Sequence, residues 1–287
     1  MTKIANLTKE ILRRLYIEEC KSLDDIGRQF GVSRVAVYKK LKKFRIKQRS
    51  KSQARLEAQK QGKLPQDFFE INEDFFTKWS TEMAYVLGLI ITDGCVSGTG
   101  VISLSMNDKE LLEKVRVAMG SQHKITPSKH QKNLYYFHFA REKMVKDLSK
   151  FGIRPKKSLS VKFPEIPDAF RVDFIRGVFD GDGSVFFQRD SKNYPLRTKF
   201  CSGSKDFIER LEKNLQELGL PERNIYEQKT KNGVFYSIKY GHKESTNLFT
   251  ILYRNHPKVL YLERKYKKFL EGLKRSNPYE QRAGRVV

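Results

Sequence analysis

Cysteine is scarce in this chain. Its 287 residues hold three, Cys20, Cys95 and Cys201. They are odd in number, far apart and form no CxxC pair, which argues against a disulfide framework or a cysteine zinc site. A reducing, cytoplasmic setting is the expectation. Long apolar runs are also missing. The longest, Ala84 to Ile91, is far short of the roughly 20 residues that a bilayer-spanning helix needs. The first residues carry no signal-peptide pattern, so no membrane partner is expected. Acidic residues are in deficit, 33 against 57 Lys and Arg, for a formal charge of +24. Such an excess implies a polyanionic partner. The 39% of hydrophobic residues still suffices for a real core, with room for two or three domains.

The basic excess is concentrated at the start. Residues 1–63 hold 18 basic and 6 acidic side chains, half of the net charge. Within 1–48, Ile11, Leu12, Leu15 and Tyr16 recur at helical spacing. Ser22 suits the N-cap of a second helix with Leu23, Ile26 and Phe30, Gly31 a turn, and Ser33 the cap of a third helix running to Phe44. Helix, glycine turn and basic helix resemble a helix-turn-helix. On that reading Arg34, Val35, Tyr38 and Lys39 are candidates for a DNA major groove, with Lys42 and Arg49 as further DNA-binding candidates. The plainer alternative is a generic three-helix bundle. From Arg34 to Lys51 there are nine basic residues and no acidic one. Residues 49–74 read as a basic linker and connecting segment, its first part suited to tracking DNA.

From residue 64 the composition flips. Asp67, Glu70, Glu73, Asp74 and Glu82 stand among Phe68, Phe69, Phe75, Phe76 and Trp79, with one lysine. This stretch is expected to pack on a second domain rather than touch phosphate.

The remainder of the chain is organised around a stretch that occurs twice. Val86-Leu87-Gly88-Leu89-Ile90-Ile91-Thr92-Asp93-Gly94 is answered by Ile175-Arg176-Gly177-Val178-Phe179-Asp180-Gly181-Asp182-Gly183, 89 residues later. Each copy has small residues at i and i+4, Gly88 and Thr92 or Gly177 and Gly181, and ends in Asp-Gly. Small residues four apart share a helix face and let a second helix come close. The closing glycine suits the left-handed position past a helix end. The aspartate before it faces the negative pole of the helix, which costs about 0.3–1 kcal/mol. Two such carboxylates on paired helices would repel unless a cation sat between them, an arrangement that reads as a metal site. An EF-hand starting at Asp180 is excluded, because it needs Gly at 185 and Glu at 191 and finds Val185 and Ser191.

Similar segments come after each copy. The pattern predicts helices at 82–93, 108–119 and 143–151 with strands at 101–105 and 135–139. Its counterpart has helices at 173–182, 205–218 and 244–253 with strands at 185–187, 197–201 and 235–240. The two copies resemble the motifs of the LAGLIDADG homing endonucleases in their single-chain, two-motif form, over roughly residues 75–270. The resemblance implies an α+β fold: a pseudo-twofold pair of αββαββα repeats, here 75–163 and 164–275, with two antiparallel saddle-shaped sheets. The helical domain 1–48 precedes them and a basic tail, 276–287, comes after. It implies a monomer that cuts both strands of a long double-stranded DNA target with Mg2+. Mn2+ would substitute, and Ca2+ would occupy the site without turnover.

By the same resemblance Asp93 and Asp182 are catalytic metal ligands, assisted by the carbonyls of Thr92 and Gly181. The family adds a basic residue near each scissile phosphate. Lys143 and Lys243 fall in matching places, 100 residues apart. For the DNA-facing side of the sheets the candidates include Ser103, Ser105, His138, Arg189, Arg197, Lys199, Lys229 and Lys239. One departure stands out. The first aspartate of the motif is Ile91 in copy one, while Asp180 keeps it in copy two.

Two other functions use the same features: a DNA-binding regulator that keeps the fold without cutting, and an RNA splicing helper. An intein is disfavoured, because no Cys or Ser starts the chain and no His-Asn ends it.

Overall fold

The computed structural model describes residues 6–63, 69–155, 160–189, 194–230, 233–255 and 258–275. The expected basic tail, 276–287, lies outside the described residues. The chain divides into two compact units, Met1–Phe68 and Phe69–Val287.

In the first unit Thr8 caps α1 (Lys9–Arg13), which runs on through a π-helical turn, Arg14–Glu18. Ser22 and Asp25 form a reciprocal capping box at the head of α2 (Leu23–Phe30). Gly31, at φ +61°, ends that helix, and Ser33 caps α3 (Arg34–Lys43). Leu12, Leu15, Tyr16, Ile26, Val37 and Leu41 are buried together. The turn between α2 and α3 is tight: a Cβ on Gly27 would stand 2.7 Å from the Val32 carbonyl oxygen.

Residues 49–63 depart from the linker expectation. Lys51–Lys60 is a helix, α4, and its approach is tied to the three-helix core. The Arg49 guanidinium donates to the Cys20 carbonyl at 2.8 Å and to that of Lys21, and lies 4.3 Å over the Tyr16 ring. The Arg49 backbone N–H donates to Tyr16 Oη at 3.1 Å. Beyond the helix, Gln61 donates to the Cys20 carbonyl at 3.1 Å, and Lys63 pairs with Asp25 at 2.5 Å. Open carbonyls past a helix end attract basic side chains, and here Arg49 meets that need.

The second unit is built from two similar halves. α5 (Thr81–Thr92) leads into β1 (Gly94–Val96) and β2 (Val101–Met106). Then come α6 (Lys109–Ala118), β3 (Thr126–Pro127), β4 (Tyr135–Ala140) and α7 (Glu142–Lys150). The second half repeats this order with α8 (Asp168–Asp182), β5 (Ser184–Phe187), β6 (Leu196–Ser202), α9 (Lys205–Glu217), β7 (Tyr226–Thr230), β8 (Gly233–Tyr240) and α10 (His242–Tyr253). A further helix, α11 (Glu263–Arg275), completes the unit. The strands form two antiparallel sheets of like topology, β1-β2-β4-β3 and β5-β6-β8-β7.

Alternation along the strands sets the faces. Ile102, Leu104, Phe137 and Phe139 are buried and paired across the first sheet; Phe200 and Ile238 do the same in the second. One face therefore packs on helices and the other is polar. α8 starts five residues before the sequence pattern suggests, at Asp168, directly after Pro167 in an extended N-cap conformation.

Candidate active site

The small residues of the two motifs meet across the α5–α8 pair. A Cβ on Gly88 would lie 2.4 Å from the Phe174 carbonyl oxygen and 2.8 Å from the Val178 nitrogen. One on Gly177 would lie 2.1 Å from the Tyr85 carbonyl oxygen and 3.2 Å from the Gly88 Cα. Backbone therefore touches backbone, and neither position tolerates a methyl group without moving a helix.

The same seam continues to the helix ends. A Cβ on Gly181 would stand 1.9 Å from Thr92 Oγ1 and 3.3 Å from an Asp93 carboxylate oxygen. The Thr92 hydroxyl turns back on its own helix, donating to the Gly88 and Leu89 carbonyls at 3.1 and 3.0 Å. Asp93 is the C-cap of α5 and Asp182 the last residue of α8, the former half-buried and the latter exposed. The Asp93 carboxylate is thus brought against the residue preceding Asp182 at two adjoining helix ends.

The closing glycines work differently from the expectation. Gly183 is extended, at φ −72° and ψ 158°, and Gly94 is not left-handed either. What both provide is room. A Cβ on Gly94 would lie 2.6 Å from Ile90 Cα, and one on Gly183 would lie 2.4 Å from the Phe179 carbonyl oxygen. Glycine lets the chain leave the helix against its own last turn and enter a strand at once.

The remaining motif aspartate has a separate environment. Asp180 is buried and accepts from Tyr85 Oη at 2.8 Å, Tyr253 Oη at 3.1 Å and the Leu262 N–H at 2.8 Å. Burial pushes its carboxyl above the usual range. Nearby, Arg176 pairs with Asp173 at 2.6 Å and donates to the Leu252 and Leu260 carbonyls at 3.0 and 2.8 Å. Both residues fasten α8 to the segment that precedes α11.

α11 contributes a side chain that the sequence pattern does not single out. Lys265 is only 3% exposed. Its Nζ donates to the carbonyls of Phe179, Asp180, Gly181 and Gly183 at 2.5, 2.8, 3.2 and 2.5 Å. Burial brings its ammonium down to about 8, against the pull of the Asp180, Asp93 and Asp182 carboxylates. A cation at the carbonyl end of a helix is favourable.

Lys143 and Lys243 occupy the same position in their repeats, the second residue of α7 and of α10. Lys143 bridges Asp74 at 2.8 Å and Asp147 at 3.1 Å, and the hydrogen bond to Asp74 raises its ammonium. Lys243 is exposed. On the second sheet Lys199 stands directly opposite Lys239, and Arg197 opposite Phe186. Lys229 and Arg189 are exposed. On the polar face of the first sheet Ser103 is paired with His138. In the first unit Arg34, Tyr38, Lys39 and Lys42 are exposed on α3, while Arg49 is engaged as described.

The donors suit a hard divalent ion: two carboxylates and nearby backbone carbonyls, all oxygen, with phosphate and water to complete the shell. Among the described residues there is no group of three or more His, Cys, Asp or Glu placed to hold a metal. A Mg2+-type site fits this sparse set better than a zinc site does.

Two uncharacterized proteins of Methanocaldococcus jannaschii are similar in part. MJ0314 is 32% identical over 89 residues, 31% of this chain and 27% of that protein. MJ0398 is 26% identical over 120 residues, 41% of this chain and 42% of that protein. The matches thus span less than half of either relative. Among solved structures, the meganuclease I-SmaMI bound to uncleaveable DNA aligns with a TM-score of 0.47 at 13% identity, over 70% of this chain and 95% of that one. The I-LtrWI LAGLIDADG homing endonuclease bound to target DNA aligns with a TM-score of 0.46 at 15% identity, over 74% and 96%. The LAGLIDADG-like domain model matches residues 80–150 and 169–271, one match on each repeat and together more than half of the sequence. The chain belongs to the LAGLIDADG-like family.

Proposed function

We propose that the protein is a site-specific DNA endonuclease that cuts both strands of a long, asymmetric target by divalent-metal-dependent hydrolysis. One observation carries this reading: the Asp93 carboxylate lies against Gly181, next to Asp182, at the joined ends of two helices whose backbones touch. Asp93 and Asp182, with the Thr92 and Gly181 carbonyls, are the residues that would hold Mg2+. Bound divalent ions supply a nucleophilic water and charge neutralisation at the scissile phosphate.

The protein's own part is to aim and to exclude. The glycine seam holds the two helix ends against each other, which would keep the two carboxylates near one another as DNA binds. The open sheet face supports the choice of polyanion. Like charges directly opposite each other on a sheet are destabilising, and Lys199 faces Lys239. A phosphate backbone relieves that repulsion and releases counterions. Arg197, Arg189 and Lys229 add charge on the same sheet or its approaches. Lys143 and Lys243 are proposed to act at the two scissile phosphates.

The first unit is proposed to add DNA contacts, with α3 as a recognition helix that presents Arg34, Tyr38, Lys39 and Lys42. Arg49 is removed from that set, because its guanidinium serves the unit's own carbonyls.

A second reading, a DNA-binding regulator that does not cut, is favoured by one observation. The Gly181 carbonyl already accepts from a fixed ammonium, Lys265. Incubating the protein with a randomised DNA library and Mg2+, then mapping new ends by sequencing, separates the two. Paired ends on opposite strands at a recurrent sequence support the endonuclease. Selective binding without ends supports the regulator.

A further inference from the structure

The first unit folds back on itself. Arg34, Val35 and Tyr38, at the head of α3, line a groove together with Ala54, Glu57 and Ala58 of α4 and with Ser22, Leu23 and Asp24 at the head of α2. The groove measures about 570 Å3, the scale of a small-ligand pocket and far too small for a duplex. Val35 and Tyr38 keep 59% and 42% of their surface exposed, so α4 faces them without packing them into a core. Both ends of α4 are tied to the same place. Ahead of it, Arg49 is half-buried and bonds the Cys20 and Lys21 carbonyls and, through its backbone N–H, Tyr16 Oη. Beyond it, Gln61 shares the Cys20 carbonyl and Lys63 pairs with Asp25. Gln61 and Lys63 are exposed, so water and salt compete for this second attachment.

A helix with its side chains is roughly 10–12 Å across, and the major groove is roughly 12 Å wide. One helix fills it, and two abreast do not enter. The head of a recognition helix carries the base contacts, and it is the head of α3 that α4 faces. We propose that α4 is a displaceable shield: in the DNA-free protein it bars Arg34, Val35 and Tyr38 from the major groove, and DNA binding releases Gln61 and Lys63 so that α4 swings out about Arg49. The inference rests on the reading of α3 as a recognition helix.

The test is hydrogen exchange on the full chain in EDTA, with and without a duplex selected by binding from a randomised pool. DNA should slow exchange in α3 and speed it in α4, because a detached helix of this length is marginal in water. Two variants then read affinity for the same duplex. Ala58→Pro breaks α4 and lies outside the buried core of α1–α3. It should tighten binding by about tenfold, the bias removed if α3 is uncovered about one time in ten. Gln61→Ala keeps every charge and loosens only the second attachment; it should tighten binding by about threefold. Weaker binding by either variant, or slower exchange in α4 on DNA, would make α4 a DNA contact and overturn the proposal. Unchanged affinity with unchanged α4 exchange would make it a bystander and overturn it equally. If α3 itself gains no protection from DNA, the recognition-helix reading fails and the shield falls with it; if α3 is protected and α4 is not released, the shield alone falls.

Discussion

Gly181 and Thr92 face each other with no space between them: a Cβ on Gly181 would fall 1.9 Å from Thr92 Oγ1. That contact continues the seam of Gly88 and Gly177 to the helix ends that carry Asp93 and Asp182. Gly181→Ala should push the ends apart at a cost of about 1–3 kcal/mol in stability, measured by urea unfolding. It should also slow cleavage by far more than the lost folded fraction explains. A cleavage rate that simply tracks folded fraction would show that the spacing is not used in the chemistry.

Asp180 should prove structural. Asp180→Asn keeps the shape but breaks a network in which two tyrosine hydroxyls and a backbone N–H all donate to the carboxylate. An amide presents one acceptor oxygen where two were used, and a stranded buried donor costs about 1–3 kcal/mol. Unfolding should register that loss, while cleavage per folded molecule stays near wild type. A fall in cleavage beyond the loss of folded protein would give Asp180 a part in the reaction.

Lys143 and Lys243 should affect rate more than affinity. Each begins the last helix of its repeat, and Lys143 is held by Asp74 and Asp147. Lys143→Met and Lys243→Met should lower single-turnover cleavage, with the Kd for target DNA close to wild type. If rate and affinity fall together, the two are ordinary phosphate contacts. If neither changes, the basic assistance comes from other residues.

Deleting residues 1–68 should weaken binding without abolishing the chemistry. The compact unit so removed lies apart in sequence from both Asp-Gly motifs. The log–log salt slope should drop by about 0.9 for each lost phosphate contact, and the footprint should shorten by about one helical turn. An unchanged slope and footprint would mean that the unit does not engage DNA.

The repeat was legible in the sequence because backbone contact leaves a compositional trace. Only glycine or another small residue fits where α5 meets α8, so Gly88, Gly177 and Gly181 stand out in an apolar run. The strands with a buried face were legible for a similar reason, since alternation marks β2, β4, β6 and β8. β7 has no such mark, as every residue from Tyr226 to Thr230 is exposed. β1 and β3 are three and two residues long, too short for a period. Arg49 read as a DNA contact because a basic run gives no hint of which member turns inward to bind carbonyls. Lys265 stayed hidden for the same reason, in a helix where Lys267, Lys268 and Lys274 are also basic. Its burial comes from where α11 docks, which local sequence does not encode.

The proposed chemistry depends above all on the two motif aspartates. The direct measurement is strand-resolved cleavage of a mapped target, with each strand labelled separately, by wild type, Asp93→Asn and Asp182→Asn in Mg2+ and in Ca2+. Wild type should cut both strands in Mg2+ and neither in Ca2+. Each single variant should fold, bind DNA at least as tightly, because carboxylate repulsion toward phosphate is relieved, and lose double-strand cleavage, with nicking of one strand as the most that survives. Full double-strand cleavage by either variant would contradict the assignment of the active site to this pair.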